Sequence, residues 1–571
     1  MSLAAALQFA VFLLIVTLGV RPLGSYLFCV FNHERTLLDP FLAPVERLAY
    51  RLCGVNIRKQ MAWGEYAASF LIFATAGTVL LYGVLRLQSF LPFYFREYTT
   101  TKMTPDLAMN TAISFSTATT WQAYAGETTL SYTSQIFGLA VQNILAGASG
   151  LAVGIAFIRG FAQKHSTTIG NFWVDLLRAV LWVLVPATLV GVLLLVWQGV
   201  PLNWNPYVHA TTLEGREQVI PQGPVAILEF TKNIGTNGGG FFNANGAHPL
   251  ANPTPLSNVI GMLAIAQIPA ALTYTFGIMV RNKRQGWVLY WVMVAIFSLS
   301  LILGQAAEQR RNPALAGVDQ RVSSQQPGGN MEGKEVRFGI AQSVLTAVTT
   351  SAGASGSYNS MHDSYMPLGG LVPLVNMLLG ELSFGGLGTG IFSLIMVLLL
   401  GVFLAGLMVG RTPEYLGKKI TPTANKMIML YTLAAPIVVL MLTAIAVIVP
   451  QGLQGLTTNH GPHGLTSILY AYTSSFGNNG QNFAGLNGNA FFYNVTTAMA
   501  MMAGRFLLAI PALALAGEFA RQGHVPETRG TLRTDSFMFG VFLLICILAL
   551  TGLAFFPVLT LGPVLEHLLM H

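Results

Sequence analysis

The stretch LEFTKNIGTNGGGFFNANG, residues 228–246, decides the fold. It holds too many glycines for a helix, although it lies between two apolar segments. Backbone that leaves the helix at membrane depth must be buried by protein or line a watery cavity, because lipid offers no hydrogen-bond partners. Glycines such as Gly238 lack a β-carbon, so successive carbonyl oxygens can turn toward one point and replace the water around a cation. The stretch therefore predicts a loop that faces an ion pathway.

Three other polar loops recur with this one at a nearly constant period. They are TATTWQAYAG (117–126), TTSAGASG (349–356) and GNNGQNFAG (477–485). Centres at Gln122, Gly238, Gly353 and Gly480 are separated by 116, 115 and 127 residues. A single glycine cluster is more typical of a plain turn or a helix C-cap. Four at one period indicate an internal fourfold repeat.

The composition is that of an integral membrane protein. Of 571 residues, 53% are hydrophobic and only 9% are charged, against about 25% charged in soluble domains. Spans of roughly 20 apolar residues can cross a bilayer. Ten are predicted, at about 3–23, 64–87, 133–158, 172–198, 256–280, 287–305, 368–410, 427–450, 487–516 and 536–563.

The basic residues predict the orientation. The first span lacks the basic flank of a cleavable signal, so we expect it to be retained. The loops that follow odd-numbered spans hold 17 of the 30 basic residues, including Arg411 and Arg529. The positive-inside rule then places those loops in the cytoplasm, and both termini and the four polar loops outside. The net charge of +8 reflects this topology rather than a nucleic-acid surface.

Each repeat reads as a span, a short helix, a polar loop and a second span. The short helices, near 106–118, 223–232, 338–348 and 464–475, cannot cross a bilayer and should re-enter it from outside. Their C-termini carry partial negative charge toward a shared pseudo-fourfold axis, which favours a cation. The predicted fold is an all-α membrane protein with channel-like repeats. Its segments are 1–63 (first span and cytoplasmic loop), 64–165, 166–284, 285–424 and 425–533 (the repeats), and 534–571 (last span).

Three residues in each polar loop are predicted to form a cation filter. Backbone carbonyls do the binding, so residue types need only let the chain turn inward. Gln122 is the exception among the central positions, and its side-chain amide is a further candidate ligand. The predicted filter residues are Thr120, Trp121, Gln122, Thr236, Asn237, Gly238, Ser351, Ala352, Gly353, Asn478, Asn479 and Gly480.

The seventh span contains ELSFGGLGTG, residues 381–390. Four glycines at about 1 kcal/mol each should break its helix and form a flexible constriction beneath the filter. Close packing of small residues between helices is an equal alternative. Arg505 and Glu381 are intramembrane charges, which usually line pathways or pair. Arg505 is expected to repel cations that enter from below or to pair with Glu381, and a purely structural pair between helices is an equal alternative. We predict Glu381, Gly385, Gly386 and Arg505 as gate or pathway residues.

Enzymatic alternatives find little support. Gly353–Gly356 spells the GxSG of intramembrane serine proteases, but no histidine lies within spans two to nine to act as the base. A phosphate-binding loop and an aspartyl phosphorylation motif are both missing, so the chain is not expected to hydrolyse ATP alone. His248, His362 and Asp363 lack metal-ligand spacing and are expected to pack at the outer vestibule. The polar segment 306–337 is expected to be a solvated surface loop.

Several blocks of the chain resemble the KdpA family, the potassium-translocating subunits of bacterial Kdp pumps. They include IGTNGGGFFNANGAHP (234–249), MHDSYMPLGGLVP (361–373), GRTPEYLGKKI (410–420) and TWQAYAGETTLSY (120–132). The family also carries glutamine in its first filter, as Gln122 does here. The resemblance implies K+ as the transported ion, no organic cofactor, and a location in the bacterial inner membrane.

The resemblance also implies partners and a route. The partners are a P-type ATPase subunit, a single-span accessory subunit and a small lipid-like subunit, with no nucleic acid. K+ would enter the outer filter and pass sideways through an intramembrane tunnel to the ATPase subunit. The alternative is a self-sufficient potassium channel or an ion-coupled symporter.

Overall fold

A computed structural model describes residues 2–323, 326, 328–410, 413–526 and 532–570 of the chain. Arg411 and Arg529, two of the basic residues used to predict the orientation, lie outside the described residues. The fold is almost entirely helical within this part.

Sixteen helices of more than four residues are labelled here in chain order. They are α1 (Leu3–Phe31), α2 (Asp39–Leu52), α3 (Trp63–Leu87), α4 (Pro105–Ser116), α5 (Ser134–Ala162), α6 (Phe172–Trp197), α7 (Val225–Ile234), α8 (Pro255–Met279), α9 (Lys283–Glu308), α10 (Gly339–Ala352), α11 (Pro367–Leu378), α12 (Thr389–Val409), α13 (Pro422–Ile448), α14 (Gly461–Gly477), α15 (Phe491–Arg521) and α16 (Phe537–Met570). Single helical turns lie at Gln88–Phe90, Gly126–Thr129, Asn245–Ala247, Pro313–Leu315, His362–Ser364 and Pro450–Leu453.

The strands in the described residues form two antiparallel hairpins. Strands β1 (Val208–Thr211) and β2 (Glu217–Ile220) pair with Val208 opposite Ile220. They form an exposed flap between α6 and α7. Strands β3 (Glu414–Tyr415) and β4 (Lys418–Lys419) pair between α12 and α13.

The ten predicted spans are confirmed. Ten helical segments in the described part are long and apolar enough to cross a membrane, which makes this a multi-pass membrane protein. The seventh differs from its prediction, because the single run 368–410 is two helices, α11 and α12. Only α12 reaches the length of a span. The predicted break at 381–390 matches the non-helical residues between Leu378 and Thr389.

Burial distinguishes the two long helices of each repeat. In the span after the polar loop, the share of buried residues in an 18-residue apolar stretch is 83% for α5, 78% for α8, 61% for α12 and 56% for α15. The span before it is only 22% buried in α3, 39% in α6, 50% in α9 and 33% in α13. The same inner and outer placement therefore recurs four times. The flanking helices α1 and α16, at 28% and 17%, resemble the less buried spans.

The four short helices α4, α7, α10 and α14 have 12, 10, 14 and 17 residues. Nearly all of their side chains are buried among the spans. Thr104 and Pro105 begin α4, where the fixed φ of proline suits the first helical position. Because these helices are short and enclosed, each delivers its C-terminus and the following loop into the middle of the bundle.

The segment 306–337 is exposed over most of 310–323, as its composition predicts, but it is buried near both ends. Lys334 Nζ lies 2.8 Å from a Glu308 carboxylate oxygen, and both side chains are 0% exposed. Asn330 donates to the same carboxylate at 2.9 Å, and Lys334 also lies over the ring of Tyr365. Polarity suggested solvation, but these polar groups satisfy one another inside the protein. The segment is thus fastened to the bundle near both of its ends.

Candidate functional site: a ring of four loops

Four short loops follow the C-termini of the short helices. Loop 1 is 117–122 after α4, loop 2 is 235–240 after α7, loop 3 is 353–358 after α10, and loop 4 is 478–482 after α14. The last carbonyls of a helix have no partner within it and carry about half a negative charge. The four helix ends therefore make the place where these loops meet favourable for a cation.

Loop 2 contacts both of its neighbours in the sequence order. The backbone N–H of Gly240 donates to Gln122 Oε1 in loop 1 at 2.7 Å. The backbone N–H of Gly356 in loop 3 donates to the carbonyl of Asn237 at 2.5 Å. Loops more than 110 residues apart in the chain are thus joined by hydrogen bonds.

Loop 4 completes the circle. A β-carbon added at Gly356 would lie 2.9 Å from the carbonyl carbon of Gly480, so loops 3 and 4 pass at backbone distance. Asn478 Nδ2 donates to Thr119 Oγ1 at 2.9 Å and links loop 4 back to loop 1. A β-carbon on Gly480 would overlap the Thr119 carbonyl. The loops therefore contact one another in the order 1, 2, 3, 4 and back to 1.

A repeated backbone pattern defines equivalent positions in the loops. Thr120, Gly238 and Gly480 have φ of 54°, 139° and 77°. Each stands two residues after another left-handed residue, these being Ala118, Thr236 and Asn478. In loop 3, Ala354 is left-handed and Gly356 follows two residues later. Thr120, Gly238, Gly356 and Gly480 are therefore the matched set.

In loops 1 and 3, the residues of the matched set are not the central residues that the sequence predicted. Gly353, Ser351 and Ala352 do not join the ring, because α10 continues through Ala352 and Gly353 caps it. Gly356 contacts the neighbouring loops instead. A sequence signal did exist for it, since Thr120, Gly238 and Gly356 are separated by 118 residues each.

In loop 1 the matched residue is Thr120, two residues before Gln122. The backbone carbonyl of Trp121 accepts from Ser114 Oγ at 3.0 Å, and its side chain is buried. Gln122 joins the ring through its side chain, as its hydrogen bond to loop 2 shows. The role of each of these residues as an ion ligand stays a prediction.

A small space lies against the inner side of the ring. It measures about 20 Å³, and the residues that follow all four helix ends line it, together with the broken span and α15. A larger cavity of about 140 Å³ adjoins it and shares Thr389, Asn478 and Arg505 in its lining. The larger cavity extends between α12, α13, α14, α15 and α16. The small space beside the ring therefore continues sideways into the larger cavity.

The break between α11 and α12 lies directly against this space. Gly386 and Leu387 line it, and the Leu387 N–H donates to Thr236 Oγ1 at 2.9 Å. Gly388, at φ 80°, contacts the backbone of Gly150 on α5. The segment is consequently both a break in the span and a site of close backbone packing, so each of the two sequence interpretations describes part of it.

Arg505 and Glu381 do not pair with each other in the described structure. Arg505 Nη2 donates to the Ala146 carbonyl at 2.9 Å and to Ser149 Oγ at 3.0 Å. Glu381 accepts from Asn479 Nδ2 in loop 4 at 2.9 Å. The predicted ion pair is corrected, because each charge finds hydrogen bonds on nearer backbone and amide groups. Both residues still line the larger cavity.

His248 and His362, which follow loops 2 and 3, pack against neighbouring side chains as expected, and their place in an outer vestibule stays a prediction. His248 stacks on Phe242 with ring centroids 3.7 Å apart, and His362 hydrogen-bonds to Tyr470 at 3.1 Å. Burial, with the charge of Lys334, lowers the pKa of His362 to about 3. Among the residues that the structure describes, no group of three His, Cys, Asp or Glu side chains could hold a metal.

The protease alternative gains no support from the geometry. Ser355 is fully buried, and the hydrogen bond given for its hydroxyl comes from the Ser357 N–H at 3.4 Å. In the described part of the chain, no histidine hydrogen-bonds to Ser355. A serine nucleophile needs an adjacent base within hydrogen-bond reach.

Comparisons with known proteins agree with this architecture. Residues 10–568 match the family KdpA, described as Potassium-transporting ATPase A subunit. A protein of Methylorubrum extorquens named potassium-transporting ATPase potassium-binding subunit is 51% identical, over 99% of this chain and 98% of its own. A protein of Koribacter versatilis with the same name is 48% identical over 100% and 99%.

A solved structure extends the comparison to the fold. The potassium transporter TrkH of Vibrio parahaemolyticus superposes with a TM-score of 0.51 at 13% sequence identity. The match covers 89% of this chain and 97% of that one. At this identity the similarity concerns the fold alone.

Proposed function

The chain belongs to the KdpA family of potassium-transporting ATPase A subunits, and on that basis we propose that it is the subunit that binds and translocates K+ in an ATP-driven uptake pump. K+ is the cargo, and no organic cofactor is needed. The chain itself does not hydrolyse ATP in this proposal, because its partner supplies that chemistry.

The closed ring of loops carries the proposal. Four loops whose backbones meet, each behind the C-terminus of a buried helix, can surround one desolvated cation with carbonyl oxygens. We assign the filter to the predicted residues of loops 1, 2 and 4, which are 120–122, 236–238 and 478–480. In loop 1, Thr120 is the matched residue and Gln122 joins through its side chain. In loop 3 we assign Gly356 with its neighbours in place of 351–353. The ring faces the cell exterior in this proposal.

The cavities support a sideways route. K+ would leave the ring into the small space beneath it and continue into the larger cavity toward the ATPase subunit. Gly385 and Gly386 would let the broken span narrow or widen this passage. Arg505 would repel cations from the cytoplasmic side, and Glu381 would attract them beside loop 4.

Family membership supports a proposal for the partners and the location of the chain. We propose a complex with a P-type ATPase subunit, a single-span accessory subunit and a small lipid-like subunit, in the bacterial inner membrane with both termini outside. The four repeats would be 64–165, 166–284, 285–424 and 425–533, with 1–63 and 534–571 flanking them. The alternation of outer and inner spans supports these boundaries.

One experiment tests the proposal. The full chain, expressed with its ATPase partner, should co-purify with it, and K+ should stimulate ATP hydrolysis more than Na+ does. Gly238→Ser should weaken this preference by about tenfold, because φ there is 139° and the added atoms would meet the Gly356 backbone. Gly64→Ser is the matched control, since nothing lies within 4 Å of a β-carbon there.

The alternative has its own signature. A self-sufficient channel or symporter would carry K+ into liposomes without the ATPase subunit. Such flux, together with ATP hydrolysis that ignores K+, would overturn the proposal. Unchanged ion preference in Gly238→Ser would remove the filter assignment alone.

A further inference from the structure

A single asparagine side chain ties loop 2 to loop 3 from behind the ring. Asn245 Nδ2 donates to the carbonyl of Gly239 in loop 2 at 2.7 Å and lies 3.3 Å from the carbonyl of Gly356 in loop 3. Asn245 is 3% exposed and left-handed, with φ of 51°. Its amide therefore holds two backbone carbonyls, one from each neighbouring loop.

A buried lysine fixes the orientation of that amide. Lys232 Nζ donates to Asn245 Oδ1 at 2.5 Å, and the Gly246 N–H donates to the same oxygen at 2.8 Å. With two donors on its oxygen, Asn245 must present its nitrogen to the loops. A reversed amide would set its oxygen against two carbonyls and its nitrogen against an ammonium group, and both contacts are repulsive.

Lys232 is in turn neutralised by one partner. It lies in the last turn of α7, and its Nζ is 2.8 Å from Glu229 Oε1 one turn earlier. The two side chains are 0% and 6% exposed. Such a pair usually brings little stability, because desolvation offsets its attraction. The pair leaves an N–H of Lys232 Nζ for Asn245. Its presence at this place is therefore better explained by the orientation that it gives to Asn245 than by a gain in stability.

We propose that Glu229, Lys232 and Asn245 form a positioning cluster that sets the spacing of loops 2 and 3 and thereby the ion preference of the ring. The inference rests on the proposed function of the ring as a cation filter. Carbonyl groups that are held in place from outside the ring cannot move inward around a smaller ion. The cluster therefore disfavours ions that need shorter distances to the carbonyl oxygens. None of the three side chains touches the ion.

Binding of radioactive rubidium to the purified full chain, in competition with K+ and Na+, measures this preference. Asn245→Asp keeps both contacts of its oxygen and the left-handed backbone, but it cannot donate to the two carbonyls. We expect the ratio of the Na+ to the K+ inhibition constant to fall by about tenfold, the size of one lost buried hydrogen bond. The double variant Glu229→Gln with Lys232→Met avoids an unpaired charge and should lower the ratio similarly.

Lys334→Met is the matched control. Lys334 forms an equally buried ion pair with Glu308, and its side chain otherwise contacts Glu332 and Tyr365, which lie outside the four loops. It should lower thermal stability and leave the ratio unchanged. If the cluster had a purely structural role, its variants would behave like Lys334→Met. They would lose stability and leave the ratio of the Na+ to the K+ inhibition constant unchanged.

The outcomes separate the two claims. If the wild-type chain prefers K+ and both cluster variants keep that preference, the positioning role is wrong and the filter stands. If the wild-type chain shows no saturable preference for K+, the proposed function fails first and the cluster with it. A reduced ratio in the cluster variants with an unchanged ratio in Lys334→Met supports the inference.

Discussion

His463 lies between two carboxylates near the start of α14. Its Nε2 is 2.7 Å from Asp363 Oδ1, and its Nδ1 is 2.7 Å from Glu566 Oε1. Asp363 follows loop 3, whereas Glu566 lies near the end of α16. Burial alone would lower the pKa of His463, but hydrogen bonds to the two carboxylates and their charges raise it to about 9. One side chain thus fastens the last helix to the segment that follows loop 3.

This contact predicts a pH-dependent contribution to stability. Because the pKa is raised in the folded state, the stabilisation is fully present below about pH 6.5 and is lost as the pH rises through about 9. His463→Gln should therefore lower the free energy of unfolding by at most about 3 kcal/mol at pH 6 and by little at pH 10. Thermal unfolding of the detergent-solubilised chain across this range measures the difference.

His460→Gln, at an exposed position three residues earlier, is the control and should show no such trend. A deficit in His463→Gln that stays constant from pH 6 to pH 10 would contradict the role of the charged histidine.

At the scale of elements, α5 and the broken seventh span pack backbone against backbone. Added β-carbons on α5 would lie 2.6 Å from the Leu387 carbonyl at Gly150 and 2.5 Å from the Gly388 Cα at Gly154. Helix α5 therefore supports the broken segment, which the proposed function treats as a constriction. Glycines allow this approach because any larger residue would push the segment away.

Gly154→Leu should displace the constriction without reaching the ring. We expect ion binding at the loops to stay within about twofold, and K+-stimulated ATP hydrolysis by the complex to fall by about tenfold, because overpacking forces backbone shifts. The measurements are rubidium binding and ATP hydrolysis on the same preparation. Gly83→Leu on α3 is the matched control, since nothing lies within 4 Å of a β-carbon there.

Equal losses of binding and hydrolysis in Gly154→Leu would indicate general misfolding. They would contradict a separate role for the constriction.

At the scale of the whole molecule, two exposed loops carry positions that can report the orientation of the chain. The basic loop after α1 carries Cys53, which is exposed, whereas the flap of β1 and β2 carries Leu213 at 105% exposure. In the proposed orientation the first lies in the cytoplasm and the second outside. The two positions therefore report opposite faces of the membrane.

Thiol labelling checks this orientation. In a chain with Cys29→Ala and Cys546→Ala, a charged maleimide should label Cys53 only after the cells are permeabilised. The same chain with Cys53→Ala and Leu213→Cys should be labelled in intact cells. Labelling of Cys53 in intact cells would reverse the orientation and place the ring at the cytoplasmic face.

Much of this protein is determined by the sequence alone. The ten spans, the four short helices and the break in the seventh span follow from local composition, since lipid requires long apolar helices and glycine disrupts them. The polar loops were recognisable because they repeat. The spans, the short helices and the break each depend on residues within about 20 positions of one another, whereas the loops needed the comparison of segments about 120 residues apart.

The tertiary structure decided what depends on contacts between distant segments. The α10 helix runs four residues beyond its predicted end at 348, and one helical turn moves a residue by about 5.4 Å, so Gly356 takes the place expected for Gly353. The partners of Arg505 and the cluster behind loop 2 were likewise invisible in the sequence. Local pattern fixes which segments leave the helix, but only packing between repeats fixes where each helix ends and which carbonyls meet.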